Sequence, residues 1–197
     1  MNKGEKTRQS IQEHTKLLIY EKSYGAVTMT DIAQRTGLSV GGLYHHYHSV
    51  ESIVLDIFMD ATDKVWDLLE ESTTFEDFLD ALYAYCNLEK QDLLHFNDSV
   101  NSIIYQYFFS FPTLIREAKM KAAYQTVIEK LEKKFSLFLL KEDIPAISNH
   151  TYIILHGLTI LAMTGSITET IIDCEFERLL SEIIHCNKKT NKGIGDN

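Results

Sequence analysis

From Ile11 to Ile184 the apolar residues of this 197-residue chain recur at intervals of three and four, and no stretch alternates residue by residue. A period near 3.6 lines apolar side chains along one face of an α-helix, whereas a half-buried strand needs a period of two. The chain is therefore predicted to be all-α. Two prolines and nine glycines agree, being few for a sandwich, a barrel or a disordered chain. The length allows one large core, or a small domain joined to a medium one.

The amino-terminal quarter carries the most specific spacing. Ile11, Thr15, Leu18 and Ile19 form the stripe of a first helix, which Ser23-Tyr24-Gly25 ends. Thr28-Met29-Thr30-Asp31 has the T-x-x-D form of a capped helix start. A short helix over 31–36 stops at Gly37, and Ser39 caps a second short helix over 40–46. Two short helices around a glycine-containing turn are the signature of a helix-turn-helix. A long helix follows, with Val50, Ile53, Val54, Ile57, Phe58, Ala61, Val65, Leu68 and Leu69 in its stripe. Thr74-Phe75-Glu76-Asp77 repeats the T-x-x-D start. Helices are predicted over 75–88, 90–96, 98–110 and 113–140, with a break at 143–149 around Pro145. The helix over 150–165 is apolar on both faces, which predicts burial on both sides, one of them by a second subunit. A last helix covers 173–186, and a polar, disordered tail is expected over 188–197.

Net charge is −9. Taken whole, that argues against nucleic acid. Residues 1–50, however, carry six basic against four acidic side chains, +2, which leaves −11 for the remainder. The most apolar stretch, Tyr152 to Ile167, is interrupted by His156, Gly157, Thr159, Thr164 and Ser166 and falls short of a membrane span. With no apolar leader after Met1, a cytoplasmic protein without membrane contact is expected. Cys86, Cys174 and Cys186 are odd in number and lack C-x-x-C spacing, so buried free thiols are predicted. Cys174 and Cys186 would stand about 18 Å apart along one helix, too far for a disulfide. No H-E-x-x-H, G-x-S-x-G, P-loop or dinucleotide fingerprint occurs. No catalytic residue, no cofactor and no metal is predicted. The His45, His46 and His48 cluster is read as non-metal because Ser49 caps the next helix, and His185-Cys186 is read likewise.

The run from Arg8, Ile11 and Leu18 through Tyr24-Gly25-Ala26-Val27-Thr28-Met29-Thr30-Asp31-Ile32-Ala33, Gly37-Leu38-Ser39, Leu43-Tyr44-His45-His46-Tyr47 and Ser49-Val50-Glu51 resembles the DNA-binding domain of TetR-family bacterial transcriptional regulators. The resemblance covers about a quarter of the chain. It implies a three-helix helix-turn-helix domain over 1–48 and a helical ligand-binding and dimerisation domain over 49–187. It implies double-stranded operator DNA as a partner, read by Val40, Gly41 and Gly42 at the start of the second helix, with Tyr44 and His46 on phosphates, His45 facing the groove, and Tyr47 in the core. Thr28, Thr30 and Ser39 are candidates for hydroxyl-to-phosphate bonds. Val40 has the shape to touch a thymine methyl. The family pattern has glycine where this chain has Ser23, for which Gly25 is expected to substitute two residues later. It also has a phosphate-supporting lysine where this chain has Val50.

The carboxyl-terminal part mixes aromatics with neutral polar groups, the makeup of a ligand pocket. Trp66, Tyr85, His95, Phe96, Asn101, Tyr105, Phe108, Phe109 and Tyr124 are the candidate ligand-binding residues. Few bases lie among them, so a neutral or cationic, apolar or aromatic small-molecule effector is expected. Ile153, Ile154, Gly157, Leu158, Leu161, Phe176, Leu180, Ile183 and Ile184 are the candidate homodimer interface, a four-helix bundle with Gly157, Ala162 and Gly165 allowing close approach. Together these point to a repressor that binds a near-palindromic operator as a dimer and is released by its effector. The alternative is a TetR-like coactivator with weakened autonomous DNA binding, motivated by Val40 and Val50.

Overall fold

The computed structural model describes residues 2–193, and among them there are nine α-helices, two one-turn 3-10 helices and no strand. The helices are α1 (Lys3–Lys22), α2 (Met29–Thr36), α3 (Val40–Tyr44), α4 (Val50–Glu70), α5 (Phe75–Leu94), α6 (Val100–Phe109), α7 (Thr113–Phe135), α8 (Ile144–Met163) and α9 (Glu169–Gly193). They sort into two compact units, one of residues up to 64 with 97–116, the other of 65–96 with 117 onward.

Side-chain caps set the helix starts of the first unit. Asn2 and Glu5 form a capping box on α1, and Thr28 and Asp31 form another on α2. Ser39 Oγ accepts the Gly42 amide at the head of α3, and Ser49 and Ser52 cap the start of α4 by exchanging bonds at 3.1 Å. Gly37 ends α2 in the left-handed conformation, φ 70°, where a side chain would be strained. At the end of α1 that task falls to Ser23, φ 69° and ψ 154°, and not to Gly25, whose φ is negative. The expectation for Gly25 is thus corrected. The chain turns directly after Lys22, so a non-glycine residue carries the strain. The core of this unit joins Ile11, Leu18 and Ile19 of α1 and Ile32, Leu43 and Tyr47 to Ile53, Val54 and Ile57 of α4 and Ile103, Ile104 and Tyr107 of α6. Residues 97–116 thus pack with the helix-turn-helix, so the unit is larger than the expected 1–48.

The second unit has an aromatic core. Phe78 stacks on Phe138 at 5.1 Å and meets Phe135 edge-on, while Phe75 reaches Phe138 at 5.9 Å. Lys134 is buried beside these rings; its ammonium donates to the Ser72 carbonyl at 3.0 Å and faces Phe78 and Phe138. Lys90 ties α5 to α9 through Glu169 and Asp173. Thr74 and Asp77 form the capping box that starts α5.

Several expected boundaries move. The joint expected near residue 89 is absent, and α5 runs on to Leu94. α7 ends at Phe135, not at 140. α8 starts at Ile144, because Pro145 sits in its first turn, where the missing amide would have no helical partner. Gly165 (φ 68°) turns the chain just after α8. α9 begins at Glu169 and continues to Gly193, so the tail expected to be disordered from 188 is helical that far; 194–197 lie outside the described residues. Cys86 and Cys186 are buried free thiols, but Cys174 is exposed, a correction to its expected burial.

Candidate nucleic-acid interface

α3 is a five-residue helix whose single buried side chain, Leu43, anchors it to the first unit's core. The other positions stand clear. Val40 is 42% and Tyr44 45% exposed, and Gly41 and His45 are also exposed. A Cβ built at Gly41 would meet nothing within 4 Å, whereas one at Gly42 would lie 3.1 Å from Ser39 Oγ, the atom that caps the helix. His46 is half-buried, and its carbonyl accepts from Arg8 Nη1 at 3.4 Å. Ser39 Oγ accepts from Gly42 N at 3.0 Å, which leaves its own hydrogen to donate outward. Thr30 is exposed at the start of α2. Thr28 differs from its expected role, because its hydroxyl already donates to Asp31 at 2.6 Å and has no second hydrogen for a phosphate. The bonds from Lys22 and Thr28 hold the Asp31 carboxyl down at about 2.

Behind α3 lies a polar network that sequence reading missed. Asp56 of α4 accepts from Arg8 Nη2 at 2.8 Å, from Gln12 Nε2 at 3.0 Å and from the buried Tyr47 hydroxyl. Gln12 Nε2 also donates to Asp60 at 2.8 Å, and Arg8 lies 4.5 Å over the Tyr47 ring. Burial pushes the Asp56 carboxyl up, but the bonds from Tyr47, Arg8 and Gln12 together outweigh it and hold the group below the usual carboxylate range. Burial, then the Asp56 bond, raises the Tyr47 hydroxyl. The network fixes α1 to α4 and to the turn that follows α3. The available signal was Gln12, a polar residue inside the buried stripe of α1.

Four of the six bases in residues 1–50 are in ion pairs: Arg8 with Asp56, Lys16 with Glu13, Lys22 with Asp31 and Arg35 with Glu21. Lys3 and Lys6 instead line an open cleft of about 270 Å³ with Thr7, Ser10, Thr36 and Leu38. Val50 is half-buried against the unit's core.

The candidate ligand residues divide between the units. In the second, Trp66 is half-buried with the Lys130 ammonium 5.2 Å from its ring, Phe96 is part of the core, and His95 is exposed at the end of α5. Burial and then the neighbouring Glu89 raise the Tyr85 hydroxyl well above its ordinary value. Tyr124 donates to Asn149 Oδ1 at 2.6 Å and meets Tyr152 edge-on. In the first unit, Asn101 and Phe108 are half-buried, and Tyr105 is buried and stacked on the exposed Phe109. The candidate dimer residues divide too. Ile154, Leu158, Phe176, Leu180 and Ile183 are buried in the second unit's own core, which corrects their assignment to a surface between subunits, and Ile184 is half-buried. Ala162 is likewise core. What α8 turns outward is Ile153, 64% exposed, with Gly157, Ile160 and Leu161, spaced at helical intervals.

Helix α3, capped, anchored by one leucine and otherwise clear of the core, is the second helix of a helix-turn-helix, the arrangement that places a helix in the DNA major groove. Residues 12–57 match the family model of bacterial regulatory proteins, tetR family. No curated protein sequence matches the chain. Among solved structures, native NalD of Pseudomonas aeruginosa, the secondary repressor of the MexAB-OprM multidrug efflux pump, is similar over 93% of this chain and 96% of its own, with 21% identity and a TM-score of 0.63. Salmonella enterica GusR is 14% identical with a TM-score of 0.67 over 92% of this chain and 97% of its own. The SmeT–triclosan complex is 14% identical with a TM-score of 0.64 over 91% and 90%. Residues 12–57 thus match the helix-turn-helix domain of the tetR family, and the chain as a whole has the fold of these solved structures.

Proposed function

We propose that this regulator is a repressor that binds a near-palindromic operator as a homodimer and is released by a small neutral or cationic, apolar or aromatic effector. The observation that carries the reading is the exposed face of α3, where Val40, Gly41, Tyr44 and His45 project beyond a rigid polar network. NalD is a repressor and SmeT was solved with triclosan, which supports both halves of the reading. The outward stripe of α8 is the proposed pairing surface, and a near-palindromic operator would present two half-sites about 34–36 Å apart. Helix α4 runs from the first unit into the second and is the continuous element able to carry an effector's signal. The protein would work in the cytoplasm, where its DNA is. Sedimentation at micromolar concentration should give about twice 22.7 kDa, and a monomer would refute the pairing. With triclosan as the first probe, an effector of this class should weaken operator binding about 5- to 150-fold in an anisotropy titration. Unchanged affinity across a panel of apolar and cationic aromatics would sink the effector half.

A second reading is a coactivator that needs a partner on DNA. The pairing of four of the six bases and the packing of Val50 against the core favour it. Absence of binding to promoter DNA at 50 mM salt would decide for it.

A further inference from the structure

The segment that carries α2 and α3 runs from Tyr24, just past α1, to Glu51 in the first turn of α4. Two adjacent side chains of α6 hold it at both ends. At the entry, Gln106 Oε1 accepts the Tyr24 amide at 2.8 Å. Ser23 has already turned the chain out of α1, so this half-buried amide has left the helical ladder and needs an acceptor from elsewhere. At the exit, the Tyr107 hydroxyl donates to Glu51 Oε1 at 2.8 Å. The Tyr107 ring also meets the Tyr24 ring edge-on at 5.7 Å. Tyr107 is buried in the core that contains Ile11, Leu43 and Ile53, with Phe111 edge-on at 5.0 Å, so its hydroxyl is a fixed point. The two bonds span 82 and 56 residues of sequence, which separates them from the local caps that start α2 and α3. Apolar contact tolerates small rotations, whereas a hydrogen bond weakens as its angle opens. One such bond would leave the segment free to pivot. Two at opposite ends remove the pivot.

We propose that Gln106 and Tyr107 are positioning residues for DNA recognition: by holding the entry and the exit of the α2–α3 segment, they set the angle at which α3 is presented. This rests on the reading that α3 faces DNA. Neither residue lies on α3 and neither carries a formal charge, so they act through Tyr24 and Glu51 and not on phosphates. Base readout needs α3 side chains within contact distance of base edges. Non-specific affinity comes from charge and tolerates a change of tilt. Loss of the clamp therefore lowers affinity for a preferred sequence and leaves non-specific binding as it was. A role confined to fold stability has a different signature: fewer molecules fold, and both kinds of DNA lose alike.

The test uses the full chain, a duplex selected from a random pool by the unaltered protein, and a scrambled duplex of the same length. Affinity for both is measured by anisotropy, with circular dichroism and a urea melt fixing the folded fraction of each variant. Q106L/Y107F should bind the selected duplex at least about tenfold more weakly per folded molecule, since two half-buried hydrogen bonds no longer favour the competent arrangement. Its affinity for the scrambled duplex should stay within about twofold, because the variant removes no charge. Gln106→Leu alone leaves the Tyr107 ring in the core and should show a loss of about fivefold, which carries the test if the double variant does not fold. Gln106→Glu keeps an acceptor for the Tyr24 amide, and its ratio of selected to scrambled affinity should match that of the unaltered protein. Unchanged affinity for the selected duplex, or an equal loss on both duplexes, overturns the positioning role and leaves the DNA-binding reading intact. A ratio in Gln106→Glu as low as in Gln106→Leu overturns the Tyr24 bond as the cause. No enrichment from the pool by the unaltered protein overturns the DNA-binding reading itself, and the positioning role with it.

Discussion

The two units hold themselves together by different chemistry. In the second, large rings fill the centre: Phe78, Phe135 and Phe138 are buried against one another, and the buried ammonium of Lys134 is held by carbonyls and ring faces. In the first, isoleucines and leucines predominate in the core beside Tyr47 and Tyr107, and a polar network of Arg8, Gln12, Tyr47, Asp56 and Asp60 supplements it at the edge. The burial of large apolar rings resists unfolding mainly through the area removed from water, a largely non-directional term. Charge-assisted hydrogen bonds add less free energy but fix angles. A recognition helix needs the second property more, because a small error in its tilt moves side chains off the base edges.

That contrast can be broken in order of size. Phe78→Ala should destabilise by about 3–5 kcal/mol, read from the urea midpoint, because neighbouring rings cannot close the hole. A loss below about 1 kcal/mol would show the core to be slack. Tyr47→Phe removes one bond from Asp56 and should cost about 1–2 kcal/mol. Its larger effect should fall on operator affinity, since the turn after α3 loses its anchor; a variant of normal affinity would mean the network stabilises without positioning. Gly41→Ala and Gly42→Ala form a matched pair. Alanine at 41 enters open space and should gain up to about 1 kcal/mol, while at 42 its Cβ presses the Ser39 cap and the gain should vanish. Ser23→Gly should stabilise by about 1 kcal/mol, since glycine takes a φ of 69° without strain. No gain in thermal midpoint would locate the strain elsewhere.

The head should also respond to acid. Asp31 is held at about 2 in the fold, against 3.8 for the free side chain. Its contribution is complete above about pH 4 and is lost as pH falls through about 2. Asp31→Asn should therefore be less stable than the unaltered chain at pH 7 and equal to it near pH 2, compared by urea melts. A gap independent of pH would mean the carboxylate's charge plays no part.

Sequence read short-range features further than long-range ones, for a physical reason. Caps act over three residues, so Thr28 with Asp31, Thr74 with Asp77 and Ser39 with Gly42 could be found locally. The Asp56 network joins residues 44 and 48 positions apart, and nothing local marks it except a glutamine in an apolar stripe. On α8, whose apolar residues occupy both faces, periodicity led to the expectation of two covered surfaces but could not say which face the chain itself covers. Pro145 was taken as a break because proline stops a helix interior, although it also opens a helix. Ser23 was misread because sequence pattern favours the nearest glycine over the residue that has to turn.

The empty space around Gly41 has a consequence for lineage rather than for this molecule. A β-carbon placed there meets no neighbouring atom within 4 Å. Leu43, one turn's breadth away, has no such freedom. A single codon change at 41 could therefore give the head a new base preference while the rest of the chain folds unchanged. The site is a dial for evolution or for an engineer, and a library randomised at that one position is the smallest experiment that could change what the helix-turn-helix reads.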